Sequence, residues 1–439
     1  MRILLINCPI RLKAKPNCLP YGLGVIASIL RLEGHDVDVY DINALRPGSE
    51  EIIQSLNGRV WDIAGVSGLI TTGSFQRWIT EELKRIKPGA LVVTGGGFAT
   101  SVPEYALTHT CADIAVIGEG EVTMAELCRA IEKGQDYEKI PGVWSKKNNV
   151  IIAGTTRANV ENLDNIPFPA WDLFPMDIYL KHPIWGDVAN NSSGFKQGVS
   201  VERSMNIITS RGCPFSCRYC YHLFGRSSYR HRSPQHIISE MQALIDTYNV
   251  DFFGFNDDNT MASEVWLREF CSLLKEKRWN IHWGCHGRVS SANPGILNLM
   301  AESGCVWIGY GIESGSQRML DAMNKKTTVE KAREAVLETR KAGIFANTTF
   351  IFGYPGEDIQ SIRDTIEFKK GLDIHCGSFF ATPYPGTDLY SKVRSFIPDE
   401  EAYISSLGDA TDYTINLTGF DEATFFHMKK AYDLLVELT

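Results

Sequence analysis

"MNIITSRGCPFSCRYCYHLFG", residues 205–225, runs from a short apolar stretch straight into three cysteines. Residues 205–210 have the length and branched side chains of a buried strand. Cys213, Cys217 and Cys220 then fall within eight positions, on a loop with aromatic and basic neighbours. The chain has 11 cysteines, and the rest stand alone, at 8, 18, 111, 128, 271, 285, 305 and 376. An odd number scattered over 439 residues does not make a disulfide framework, and single cysteines of this kind serve as small apolar core residues. Only the cluster asks for its own chemistry.

A structural zinc site takes four ligands, usually as two separated pairs. No second cysteine pair exists, and His222, two residues past Cys220, is an awkward fourth donor. A dithiol redox pair would need only two cysteines. Three thiolates on one short loop suit a cubic 4Fe-4S cluster whose fourth iron stays open to a small chelating ligand.

The strand at 205–210 begins a series. "DFFGFND", "IHWGCHG", "CVWIGYG", "NTTFIFGYP" and "IHCGSFFATPYP" read as further strands. Helical stretches near 235–248, 262–277, 294–303, 315–324, 329–342 and 358–371 lie between them. Six such units predict an open, partial (β/α)6 TIM-type barrel over residues 206–395, with ligands at the C-terminal ends of the strands. Residues 1–140 alternate in the same way, through "RILLINCP", "DVDVYDIN", "DIAGVSGLI", "LVVTGGGFA" and "IAVIGEGE". They predict a doubly wound, Rossmann-like parallel sheet that binds its ligand beyond the carboxyl ends of its strands. The class is α/β in both. Residues 141–205 read as a linker and polar loop, and 396–439 as a C-terminal helical cap.

The net charge of −8 provides no basic field for nucleic acid or an anionic membrane. No apolar run reaches the roughly 18 residues of a membrane span. The start "MRILLINCPI" reads as a first strand and not as a signal peptide. The expectation is a cytoplasmic protein with neither a nucleic-acid nor a membrane partner.

The pattern Cys-x3-Cys-x-aromatic-Cys, with Tyr219 as the aromatic, resembles the signature of the radical S-adenosylmethionine (SAM) enzymes. The resemblance implies that Cys213, Cys217 and Cys220 hold a 4Fe-4S cluster and that SAM chelates its open iron. One electron from a flavodoxin- or ferredoxin-like donor would then release a 5′-deoxyadenosyl radical, which takes hydrogen from a small-molecule substrate. Later segments carry the resemblance through residue 390. "NDDNT" (256–260), with Asp257 and Asp258, would hold the methionine amino group. Arg288 would meet the SAM carboxylate. "GYGIESGS" (309–316) would place Glu313, beside Ser314, at a ribose hydroxyl or the amine. Gly353 in "FIFGYPGE" would support adenine, and Pro383 lies in "TPYPGT", which ends the sixth strand.

Residues 1–125 resemble the cobalamin-binding domain that one branch of that family carries ahead of its barrel. The resemblance puts Thr71, Thr72, Gly95, Gly96, Gly97 and Glu119 on the cofactor. The loop after the first strand, "NCPIRLKAKPNCLPYG", lacks the histidine that ligates cobalt in mutases and methionine synthases, and His35 reads as structural. With cobalamin the implied reaction is C-methylation, a second SAM restoring the methyl group. Without it, the implied reaction is radical dehydration, deoxygenation or rearrangement, for example on an amino sugar, with Tyr221, His222 or His286 as acid–base candidates. A non-catalytic iron–sulfur or corrinoid carrier is a third reading. His282, Cys285 and His286 form a possible second metal group. The segments expected to face the substrate are 186–204 and 221–232.

Overall fold

The computed structural model describes residues 1–181, 201–225 and 228–436. The chain divides into two compact units, Met1–His182 with Ile397–Leu407, and Pro183–Phe396 with Gly408–Thr439.

The first unit is built on seven strands: β1 (Arg2–Asn7), β2 (Asp36–Asp41), β3 (Ile63–Ser67), β4 (Leu91–Gly95), β5 (Ile114–Val116), β6 (Val143–Lys147) and β7 (Val150–Ile152). Their order is β2-β1-β3-β4-β5-β6-β7, parallel through β5 and antiparallel beyond it. The order reverses between β1 and β3, which is where a doubly wound sheet opens its ligand crevice. Apolar runs such as "RILLIN" are buried because helices cover both faces of a parallel sheet. Leu4, Ile6, Cys8, Trp61, Val66 and Val92 share one core.

Two expected boundaries move. Residues 141–181 are not a linker: β6 and β7 extend the first sheet, and the Tyr179 hydroxyl donates to buried Asp41 at 2.6 Å. The Ser28 hydroxyl donates to the Phe168 carbonyl at 2.6 Å, and Gly24 lies so close that a Cβ there would stand 2.8 Å from Pro169 Cβ. Nor is 396–439 one cap. Helix Glu400–Ser406 belongs to the first unit, held by Ser405 against Ser74 and Tyr105. Helix Glu422–Leu434 belongs to the second unit, where Phe425 packs on Phe352.

The second unit holds β8 (Ser204–Ile207), a small antiparallel pair β9 (Ser210–Gly212) and β10 (Tyr229–His231), then β11 (Phe252–Phe255), β12 (His282–Gly287), β13 (Cys305–Glu313), β14 (Phe345–Phe352) and β15 (Phe379–Phe380). Six of these form one parallel sheet in the order β15-β14-β13-β12-β11-β8. Its edges, β8 and β15, are not neighbours, so the barrel is open. The aromatic runs pack behind the sheet: Phe255 stacks on Trp283 at 5.2 Å, and Trp266 on Phe270 at 5.3 Å. The expected strand 205–210 is two pieces. Backbone leaves β8 at Ile207 and restarts as β9, which pairs with β10 and closes the base of the cysteine loop.

Candidate active site

The cysteine loop stands at the C-terminal end of β8, and four groups of contacts shape it. Gly212 opens it with φ of 80°, and a Cβ there would lie 2.2 Å from the Ser228 carbonyl oxygen, so only glycine fits. Asp257, buried at the end of β11, accepts hydrogen bonds from the Thr209 and Ser210 amides at 2.7 and 3.0 Å, and from the Thr209 and Thr260 hydroxyls. That commits both carboxylate oxygens, so Asp257 positions the loop from within the protein and is not available to an incoming amine.

Residues 322–325 act as a mould. The Ala322 carbonyl accepts from the Arg218 side chain at 2.9 Å, and the Met323 carbonyl from the Arg218 amide at 3.0 Å. Asn324, with φ of 55°, donates to the Ser216 carbonyl at 2.7 Å. The buried Lys325 ammonium donates to Tyr219 Oη at 2.9 Å and Glu313 Oε1 at 2.8 Å, and Tyr219 Oη donates to the same Oε1 at 2.8 Å. Glu313 reaches this ring because β13 bulges between Gly311 and Glu313 and Glu313 takes φ of 70°. A Cβ at Gly311 would stand 2.1 Å from Glu313 Oε1. Breaking such a buried pair by removing one partner costs about 3–5 kcal/mol. Arg288 does not point free toward a ligand carboxylate. It stacks on Phe215 at 3.8 Å, donates to the Lys325 carbonyl, and places Nη1 3.2 Å from Cys217 Sγ.

The other expected site residues divide. Asp258 is exposed at the mouth, yet protein crowds its carboxyl, which is pushed up to about 6 by burial first and by the Asp257 charge second. Ser314 is fully buried and spends its hydroxyl on Thr365 and the Ser316 amide, which makes it a turn residue. Pro383 is buried immediately before the Tyr384–Thr387 turn, and Gly386 (φ 92°) runs under the Tyr221 ring, where a Cβ would come within 2.7 Å. His222 is half-buried in the cysteine loop. His286 is pressed edge-on against Trp307 at 5.2 Å and held neutral by burial, down to about 4. Cys285 lies on the opposite face of β12 from His282 and His286, because strand side chains alternate, and its thiol meets Cys305. These three do not form a metal group. Residues 186–200 of the first expected substrate-facing segment, and 226–227 of the second, lie outside the described residues.

Gly353 (φ 85°) donates its amide to Glu357 at 2.6 Å and lies against Phe425. Burial pushes the Glu357 carboxyl from 4.5 up to about 8. The folded state therefore holds a proton that the unfolded chain gives up, so stability is lost as pH rises through this window. A shift of that size is worth roughly 5 kcal/mol. Glu357→Gln is expected to flatten the fall in thermal midpoint between pH 5 and 8, and parallel melts of both proteins check it.

Among the described residues no group of three or more His, Cys, Asp or Glu side chains is gathered tightly enough to hold a single metal ion. A zinc ion would need its thiolates about 4 Å apart, whereas a four-iron cluster takes one thiolate per iron. The Cys213 thiol is pushed up by burial; Cys220 is an exposed residue, yet protein crowds its thiol, which is pushed up to about 12 by that crowding and then by Asp258 and the other two thiols. Arg288 acts on Cys213 and Lys325 on Cys220 in the opposite direction but both are outweighed, so neither thiol is activated as a redox nucleophile. The donor set fits a group that brings its own positive charge, and the Arg288 hydrogen bond to Cys217 suits a ligating sulfur.

In the first unit, the loops after β3 and β4 touch through glycine. The Phe98 amide donates to the Gly68 carbonyl at 3.1 Å, and a Cβ at Gly96 (φ 76°) would lie 2.8 Å from that same oxygen. Gly95, Gly96 and Gly97 leave bare backbone at the carboxyl end of β4, next to the strand that borders the switch point, with Gly96 exposed and Thr71 half-exposed. That cradle fits a ligand that must come close to main chain. Thr72 and Glu119 do not face it. The Thr72 hydroxyl is buried between the Leu69 carbonyl and Gln76, and Glu119 accepts the Val160 amide at 2.5 Å. His35 is buried beside the Met1 amino group, a structural position.

Comparison with known proteins follows these divisions. Residues 207–368 match the model of the radical SAM superfamily, and residues 8–128 that of the B12 binding domain. An uncharacterized methyltransferase of Pyrococcus horikoshii is 32% identical, covering 84% of this chain and 77% of that protein. The cytidylyl-2-hydroxyethylphosphonate methyltransferase of Streptomyces wedmorensis is 26% identical over 88% and 80%. The anaerobic magnesium-protoporphyrin IX monomethyl ester cyclase of Rubrivivax gelatinosus is 24% identical over 86% and 66%. Among solved structures, the radical SAM methyltransferase TsrM of Kitasatospora setae, with cobalamin and a 4Fe-4S cluster bound, superposes with a TM-score of 0.71 at 20% identity, covering 90% of this chain and 75% of that one. Two domain models that fall on the two folds in turn, and a relative alike over most of both chains, place this chain in the radical SAM superfamily, in the branch that joins a B12 binding domain to the radical domain.

Proposed function

We propose that this chain methylates a carbon of a small molecule with SAM and cobalamin. The observation that carries the reading is the pairing of two prepared sites. One is a three-cysteine loop moulded by 322–325 and Asp257, and the other is a bare-backbone cradle at the carboxyl ends of β3 and β4 in the first sheet. When bound, the cluster supplies an electron to SAM and the corrinoid carries the methyl group. Cys213, Cys217 and Cys220 each hold one iron. Asp258 and the Glu313 carboxylate take the polar groups of SAM, while Asp257, Arg288 and Lys325 keep the loop in place. Thr71 and Gly95–Gly97 border the corrinoid tail. The electron donor is a flavodoxin- or ferredoxin-like protein. Eleven free thiols suit a reducing, cytoplasmic setting. No described helix is long and apolar enough to cross a membrane.

Methylation is preferred to radical dehydration because relatives alike over most of both chains are named methyltransferases and the first sheet carries a bare-backbone cradle suited to a corrinoid. The test is corrinoid content after anaerobic purification and reconstitution with hydroxocobalamin. About one cobalt per chain is expected. A protein that retains no corrinoid but still cleaves SAM would sink the methylation reading.

A further inference from the structure

We infer that Lys325 sets the reduction potential of the cluster, a role that rests on the cysteine loop holding one. Lys325 and Glu313 are each only 8% exposed, and they share one hydrogen-bonded ring with Tyr219. Tyr219 stands between Cys217 and Cys220, and the Lys325 carbonyl is tied to the arginine that touches Cys217 Sγ. The pair is thus built into the wall of the cluster loop and sheltered from solvent.

A cluster bearing three thiolates gains a further negative charge on reduction. A lone buried carboxylate in that wall would oppose the electron, and water screens little of its field. The Lys325 ammonium, 2.8 Å from Glu313 Oε1, cancels that charge. The Glu313 carboxylate can then serve SAM without making the cluster harder to reduce. Lys325 is a positioning residue in this account: it touches neither sulfur nor, by its committed hydrogen bonds, an incoming ligand.

The test measures midpoint potential by spectroelectrochemical titration of the reconstituted full chain without SAM, with iron and sulfide assayed in each sample. Lys325→Met is expected to shift the potential negative, and Glu313→Gln to shift it positive. The double variant should return toward wild type, and Lys325→Arg should stay near it. A structural role alone would change cluster occupancy and leave the potential of the intact fraction unmoved. Intact clusters with wild-type potential in both single variants would overturn the inference. Should Lys325→Met hold no cluster, Glu313→Gln decides alone: a positive shift supports the inference and no shift overturns it. A wild-type protein that takes up no cluster would instead refute the cysteine-loop reading itself.

Discussion

Replacing any one of Cys213, Cys217 and Cys220 by alanine is expected to leave a folded protein that takes up almost no stable cluster and yields no 5′-deoxyadenosine above background. The loop is held from outside the cysteines, by Asp257 on one side and by residues 322–325 on the other. Removing a thiol therefore removes a ligand without removing the mould. Iron should fall from about four per chain to a small fraction of that after reconstitution, while the far-ultraviolet spectrum stays unchanged. Cys271→Ala is the contrasting control. Cys271 is buried in the helix layer and lies off the loop, so its loss costs core packing of about 1 kcal/mol and leaves iron content alone. Iron and sulfide assays on the four proteins distinguish these outcomes.

Gly96→Val is expected to abolish corrinoid retention. Its φ of 76° is strained for any L side chain, and its Cβ would meet the Gly68 carbonyl at 2.8 Å, so the loops after β3 and β4 must part. Strain and clash together should cost about 1–3 kcal/mol. Gly134→Ala separates strain from site. Gly134 also has positive φ, at 61°, but nothing lies within 4 Å of its missing Cβ, and it caps helix Gly120–Glu132 away from the cradle. It should lose about 1 kcal/mol and keep its corrinoid. Cobalt analysis and thermal melts on both variants provide the comparison.

Much of this was legible in the sequence because its signals are local. Apolar runs ending in glycine marked the parallel strands of both sheets, and three cysteines in eight positions marked the cluster loop. Signals that depend on distant pairing were not legible. The strands at 143–147 and 150–152 are short and antiparallel, in a stretch whose prolines and aromatics read as a linker. Lys325 sits in "MNKKTT", where nothing in spacing or composition separates it from Lys326; only the β13 bulge brings Glu313 to it. Asp257 and Asp258 are adjacent and chemically identical, yet one is a buried clamp and the other stands at the mouth. Thr72, Glu119 and Ser314 were plausible ligands by position, but Thr72 and Ser314 are spent on their own turns and Glu119 on the distant Val160 amide.

The central claim is that one site cleaves SAM reductively while a second accepts a methyl group from it. The most direct measurement is the fate of SAM in the anaerobic, reconstituted, cobalamin-loaded protein under a low-potential reductant, with both products quantified by liquid chromatography. 5′-Deoxyadenosine and S-adenosylhomocysteine are expected together. 5′-Deoxyadenosine without S-adenosylhomocysteine would contradict methyl transfer, and neither product would contradict the radical SAM site.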